Sequence, residues 1–210
     1  MVEEAIKDKL KQTIETYNKI AQIYANYTAQ KLLQFQLSKF ISLLPEKGKI
    51  LDAGCGSGRD AEYFQDEGLQ VTAIDLAEGM IDEAKKRNVN AIKMDLLDLK
   101  FDKNKFDGLW SMASFHSIPK EFGPKIIKDF HKILKPDGIL YIAVKEGSGE
   151  EIIRKERYQN LPIFYAFYKK EELEKLLKEN DFEIIESVNS NDEGTNWVEI
   201  FAKNIKVIIE

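Results

Sequence analysis

Ile50-Leu51-Asp52-Ala53-Gly54-Cys55-Gly56-Ser57-Gly58-Arg59-Asp60 runs from a short apolar strand into three glycines at alternate positions. Glycine lacks a Cβ, so its backbone takes dihedrals closed to other residues and a ligand can approach it to van der Waals contact. The helix that follows offers unpaired N–H groups. The stretch therefore reads as a nucleotide cradle, and its spacing narrows the class. Dinucleotide folds use G-x-G-x-x-G, with the third glycine opening the helix toward a pyrophosphate; here the pattern is G-x-G-x-G after Leu51-Asp52. About twenty residues on, Val71-Thr72-Ala73-Ile74-Asp75 reads as a second strand ending in an acid, where nucleotide-binding α/β folds hold ribose hydroxyls.

Outward from this point the chain alternates. Strands are expected at 49–53, 70–74, 90–94, 106–111 and 138–145, with helices at 58–67, 78–87 and 121–134. That alternation predicts parallel pairing with helices on both faces. Upstream, Ile6, Leu10, Ile14, Tyr17, Ala21 and Tyr24 recur at helical spacing, and Leu32, Leu33, Phe40, Ile41 and Leu44 continue it until Pro45 and Gly48, which gives two leading helices. Downstream, an irregular stretch over 146–168 precedes a helix around 170–180 and a closing hairpin of strands near 182–188 and 196–203.

The chain has 210 residues, 43% of them hydrophobic, enough for one sizeable core, and no repeat or low-complexity linker divides it. A single domain over 1–210 is expected, with 1–47 as capping helices, 48–145 as the cofactor-binding core, 146–169 as a substrate lid and 170–210 as the closing helix and hairpin. A net charge of −5 disfavours affinity built on phosphate neutralisation, so nucleic acid is a poor first guess. The lone cysteine forms no internal disulfide, and no apolar run reaches the length of a signal or membrane segment, so a cytoplasmic protein without membrane insertion is expected. No metal site is read, and oligomeric state is open.

Several further stretches fall in an order that resembles the class I S-adenosylmethionine-dependent methyltransferases across roughly residues 15–203. The glycine loop with Leu51-Asp52 matches the family's first motif. Leu76-Ala77-Glu78-Gly79-Met80 is similar to its D-x-S-x-x-M stretch, with Ala77 where serine often stands. Met94-Asp95-Leu96 lies where the third motif places an acid. Phe106-Asp107-Gly108-Leu109-Trp110-Ser111 looks like the fourth strand, and Leu134-Lys135-Pro136-Asp137-Gly138 like the L-K-P-G-G turn, with Asp137 replacing a glycine. The resemblance implies a Rossmann-like, doubly wound seven-stranded sheet, mostly parallel, with helices on both faces and an antiparallel final strand inserted between the fifth and sixth. It also implies S-adenosylmethionine as methyl donor and S-adenosylhomocysteine as product. Asp75 would clamp the ribose, Met80 would pack on the adenine, Asp95 would accept from the adenine amino group, and a backbone N–H beside Asp95, with Leu96, would meet the ring. Gly54, Cys55, Gly56, Ser57, Gly58, Leu76, Ser111 and Tyr24 complete the expected cofactor set.

Methyl transfer from a sulfonium asks mainly for positioning and exclusion of water, with a base needed only when the acceptor must lose a proton early. The switch-point rule places a small-molecule acceptor over Ser111 to His116. His116 is the candidate base, its alternative being a loop histidine bonded to backbone. Asp52 either organises the glycine turn or reaches the methionine portion. Arg59 either meets the methionine carboxylate or pairs with a nearby acid. Cys55 reads as a small packing residue in the loop. Tyr17 and Tyr24 resemble an N-terminal Y-x-x-x-A-x-x-Y signature that folds over the site in small-molecule members, and aromatics at that spacing also suit plain core. Tyr17, Lys145, Arg154 and Arg157 are the candidate acceptor contacts, the last two from a basic cluster beside the aromatic run Phe164-Tyr165-Ala166-Phe167-Tyr168. The competing readings are an RNA or protein methyltransferase, a nicotinamide-dependent oxidoreductase, and a cofactor-binding module without turnover. Trp110-Ser111-Met112-Ala113 is unlike the N/D-P-P-Y/F signature of amino-group methylases, and the missing G-x-x-G step argues against nicotinamide.

Overall fold

The structure is a computed structural model that describes residues 2–31 and 33–206, with side chains described from residue 8. Leu32 and the side chain of Ile6, both part of the N-terminal periodicity, lie outside the described residues. A seven-stranded sheet carries the strands β1 (Lys49–Ala53), β2 (Gln70–Asp75), β3 (Ile92–Lys93), β4 (Phe106–Met112), β5 (Leu134–Lys145), β8 (Phe182–Asp192) and β9 (Thr195–Asn204), in the order β3-β2-β1-β4-β5-β9-β8. The first five pair in parallel, and β9 lies antiparallel between β5 and β8. This is the expected Rossmann-like topology, final strand included.

The two faces follow from alternation along the central strands. Leu109, Leu140, Ile142 and Val144 face one side, where α5 (Gly123–Ile133) and α6 (Lys170–Lys178) supply Ile126, Phe130, Leu173 and Leu177. Trp110, Tyr141 and Ala143 face the other, against Phe64 of α3 (Arg59–Asp66) and Leu37 and Phe40 of α2 (Gln34–Ser42). Trp110 stacks on Tyr141 with ring centroids 3.9 Å apart. The helix α2 is thus part of the sheet-covering layer, not of a cap, because its buried face is built of large side chains that meet Trp110 and Phe64 at 5.2 and 5.5 Å.

The main departures from the expected spans lie in β3, β5 and the stretch 146–168. β3 shortens to two residues at the sheet edge. β5 begins early, because Leu134 pairs with Phe106 before a bulge, with Asp137 at φ 61°, brings Ile139 opposite Gly108. The stretch 146–168 contains an antiparallel ribbon, β6 (Glu150–Arg154) with β7 (Pro162–Ala166). β7 is buried on both faces: Phe164 joins the main core while Ile163 and Tyr165 meet α1 (Val2–Thr28).

α1 is positioned by polar contacts at both of its flanks. Thr16 Oγ1 donates to Pro162 O at 2.7 Å, and Thr13 Oγ1 accepts from Phe164 N at 3.0 Å. On the other side Asn18 Oδ1 accepts from Gly79 N, in the first turn of α4 (Glu78–Lys86), at 2.9 Å. A Cβ at Gly79 would lie 2.7 Å from Asn18 O, so only glycine lets these helices approach this closely. α1 therefore bridges the ribbon and α4 above the carboxyl ends of the strands.

Candidate active site

The parallel strands reverse their order between β1 and β4, and the crevice at such a switch point is where α/β sheets bind ligands. Here it opens into a cavity of about 310 Å³, roofed by α1 and the ribbon.

The glycine loop is fixed from three directions. Gly54 N and Cys55 N both donate to Ile74 O at 2.9 and 2.8 Å, Gly56 N donates to Asp75 Oδ2 at 2.9 Å, and Ser114 Oγ donates to Ala53 O. Gly54 sits at φ 87°, and a Cβ there would fall 2.2 Å from Ser114 Cβ, so the loop packs directly on the segment after β4. Asp75 also accepts from Ala77 N through Oδ1 at 2.9 Å. Burial raises its pKa, and the backbone N–H groups that face it oppose the rise. Each of its oxygens retains a further acceptor site, and the side chain lines the cavity.

Asp52 is 2% exposed and makes no hydrogen bond to the loop; its Oδ2 is buried without a partner among the described residues and the side chain lines the cavity. Burial first, then the charge of Asp60, holds its pKa well above the usual carboxylate value. Organising the turn thus falls to Asp75 and Ser114, and Asp52 is left as an acceptor awaiting a donor. Arg59 resolves toward pairing with an acid: its Nε and Nη2 reach Asp60 Oδ1 and Oδ2 at 2.6 and 3.0 Å, and Trp110 Nε1 donates to the same carboxylate at 3.0 Å.

Leu76, Met80, Asp95, Leu96, Cys55, Ser57, Tyr17 and Tyr24 all line the cavity. Asp95 Oδ1 accepts from Leu97 N at 2.8 Å. Burial pushes the Cys55 thiol well above its usual pKa, which keeps it protonated and suits packing. Two expected cofactor residues do not reach the cavity lining. Gly58 caps α3 at φ 79°, where a Cβ would meet Ala84 Cβ at 2.9 Å, so it serves the contact of α3 with α4. Ser111 is fully buried and bonds Ser114 Oγ at 2.9 Å, holding the residue that anchors the loop.

The opposite end of the cavity is aromatic and basic. His116, Lys145 and Arg157 line it as expected, whereas Arg154 does not: it is exposed on the ribbon, and its Nη1 donates to Asn160 O at 2.9 Å. The neighbour, Lys155, takes its place, because successive residues at a strand end point to opposite sides. His116 Nδ1 accepts from the backbone N–H of Lys145 at 3.1 Å, so the neutral ring carries its hydrogen on Nε2. Burial, with Lys145 and Lys155 nearby, keeps it neutral by lowering its pKa well below the usual value. In this tautomer His116 is a donor, and the base role does not follow from the geometry. Tyr27, Tyr158, Tyr165 and Trp197 also line the cavity. Trp197 reaches it only because β9 sets it opposite Lys145, and no local pattern marks it.

A seven-stranded sheet of this order, with a glycine loop and two strand-end acids around a switch-point cavity, defines a nucleotide-cofactor enzyme of the Rossmann-like class. The fit to an adenosyl sulfonium rests on the orphaned Asp52 oxygen, which suits an ammonium, and on the free acceptor sites of Asp75, which suit vicinal hydroxyls. A family model described as a methyltransferase domain matches residues 21–187, and the chain belongs to the class I S-adenosylmethionine-dependent methyltransferase family. Among similar proteins, a malonyl-[acyl-carrier protein] O-methyltransferase of Enterobacter lignolyticus is 29% identical over 94 residues, covering 44% of this chain and 37% of that protein. A ubiquinone biosynthesis O-methyltransferase of Coxiella burnetii is 33% identical over 104 residues, covering 46% of this chain and 44% of that protein. The matches thus span less than half of these relatives' length. Among solved structures, a Methanosarcina mazei methyltransferase superposes with a TM-score of 0.74 at 21% identity, covering 80% of this chain and 98% of that one. The 1,6-didemethyltoxoflavin-N1-methyltransferase of Burkholderia thailandensis, solved with its substrate and S-adenosylhomocysteine, gives 0.72 at 21% identity, covering 92% and 88%. No helix among the described residues is long and apolar enough to cross a membrane.

Proposed function

We propose that this protein transfers a methyl group from S-adenosylmethionine to a small-molecule acceptor. The carrying observation is one cavity that runs from the acids Asp52, Asp75 and Asp95 to the aromatic and basic end beneath α1. A roof made of a helix and a ribbon admits a metabolite more readily than a folded macromolecule, and the acidic net charge of −5 adds nothing for nucleic acid. The reading treats the chain as one domain in which α1 and the ribbon cap the site while α2 supports the sheet.

When bound, the cofactor supplies an electrophilic methyl group on a sulfonium. Asp52 would accept from the ammonium of the methionine portion, Asp75 from the ribose hydroxyls and Asp95 from the adenine amino group, while Met80 and Leu96 would bury the base. The segment from Met112 to His116, which lines the same cavity, would lodge the acceptor beside the cofactor held by these residues. His116 presents its Nε2–H to the acceptor and orients it. Positioning and exclusion of water account for catalysis of this kind without a strong base.

The test is ligand-dependent melting. S-adenosylhomocysteine at a hundredfold excess over its Kd should stabilise the fold by about 2.7 kcal/mol, and NAD should leave it unchanged. Stabilisation by NAD with none by S-adenosylhomocysteine overturns the proposal.

A further inference from the structure

Charge is sorted along the cavity. At the cofactor end lie Asp52, Asp60 and Asp75, and at the other Lys145, Lys155 and Arg157, with Asp192 and Glu193 also on the lining. Cations elsewhere on the lining are neutralised: Arg59 by Asp60 and Lys31 by Glu193. Lys145, Lys155 and Arg157 form no ion pair with any carboxylate among the described residues, although Lys145 is 8% exposed. Their compensation comes from aromatic faces, with Lys145 Nζ 3.5 Å from the Tyr165 ring centroid and the Arg157 guanidinium 4.6 Å from that of Tyr27. A ring face attracts a cation but carries no net charge, so Lys145 and Lys155 are left without a carboxylate partner, while the exposed Arg157 also feels Glu193 across the cavity.

Resting on the methyl-transfer reading, we propose that the acceptor is a planar molecule bearing a carboxylate or phosphate, with its anionic group held by Lys145, Lys155 and Arg157. Uncompensated cations beside a cavity are the arrangement a site has before its anion arrives, since charge-assisted hydrogen bonds to carboxylate or phosphate are among the strong ones. Burial and mutual repulsion lower the pKa of Lys145 to about 7 and also lower that of Lys155, a penalty that a bound anion relieves. A planar molecule suits the wall it would lie on, a contiguous aromatic surface in which Trp197 meets His116 with centroids 5.8 Å apart and planes at 30°, and Tyr165 stands edge-on to His116 at 5.2 Å. Asp52 on β1 is level with Trp110 and Tyr141 across β4 and β5, and Lys145 stands four residues further toward the carboxyl end, a backbone separation of about 16 Å at ordinary strand dimensions. That distance leaves the methyl group between the two charge clusters, with the cofactor at one and the acceptor at the other.

The proposal is tested by calorimetry on protein saturated with S-adenosylhomocysteine, using 4-hydroxybenzoate, phenyl phosphate and neutral 4-hydroxybenzamide as probes. At least one anion should bind tenfold or more tightly than the amide, and the benzoate and phosphate arms show which group the cluster prefers. Lys145→Met should abolish that preference, and Lys155→Met, at a more exposed position, should weaken it. Equal binding of anions and amide, or a preference that survives in both variants, overturns the proposal. So does a tenfold loss of S-adenosylhomocysteine affinity in either variant, which would assign the cluster to the cofactor's own carboxylate. Failure of S-adenosylhomocysteine to bind wild-type protein counts against methyl transfer itself, and the anion preference is then read without it.

Discussion

Replacing Lys145 by Met tests whether the basic end of the cavity carries uncompensated charge. The side chain is 8% exposed, and its ammonium titrates near 7 against 10.5 for the free group, because burial strips its hydration and Lys155 and Arg157 repel it. A gap of about 3.5 pH units at about 1.4 kcal/mol each is on the order of 5 kcal/mol of destabilisation when the folded protein is fully protonated there. The unfolded chain keeps this proton up to about 10.5 and the folded chain releases it near 7, so between these values the unfolded state binds more protons and stability rises with pH. The penalty is complete below pH 7 and fades toward 10.5. By linkage, the wild type should gain about 3 kcal/mol on the variant between pH 7 and 9.5. Lys155, Arg157, His116 and Tyr165 face position 145 in both proteins; Lys155 and His116 are themselves shifted by Lys145, so the difference reports the coupled cluster, while any packing change independent of pH cancels. Urea unfolding of both proteins at the two pH values measures it. A wild-type minus variant difference that stays constant within about 1 kcal/mol would refute the reasoning.

Two further outcomes follow from the site. Asp75→Ala removes an acceptor that holds Gly56 and Ala77 and faces the cavity, so S-adenosylhomocysteine affinity should fall by about 1.5–3 kcal/mol, with Asp75→Asn intermediate; unchanged calorimetric affinity in both would remove Asp75 from the cofactor site. Nitrogen-detected NMR of the His116 ring should show the Nε2–H tautomer, still neutral where a free imidazole is half-protonated, because burial lowers its pKa; a ring hydrogen on Nδ1, or titration like a free imidazole, contradicts the bond from Lys145 N and the burial.

The stretch 146–168 illustrates how far local sequence reaches. The aromatic run from Phe164 to Tyr168 marks a buried segment, but which side chains turn toward the cavity depends on pairing with Glu150–Arg154 and on the docking of α1, both non-local. The choice between Arg154 and Lys155 is of this kind, since one residue of register exchanges the two sides of a strand. His116 shows the same limit. Its place after the fourth strand is legible, yet its proton is set by a backbone N–H from β5, 29 residues away.

The sequence by itself determined the alternating strands and helices, the glycine loop and the family, because these depend on periodicity and on short spacings that constrain the backbone directly, while the place of the antiparallel last strand came from the family resemblance alone. Only the tertiary structure decided that Gly58 and Ser111 support the loop from behind, that Asp52 is left without a partner, and that Lys145, Lys155 and Arg157 share one space. The reason is physical: charge balance and hydrogen-bond satisfaction are properties of the groups a fold brings within a few ångströms, and distant strands meet there at distances that sequence spacing does not encode.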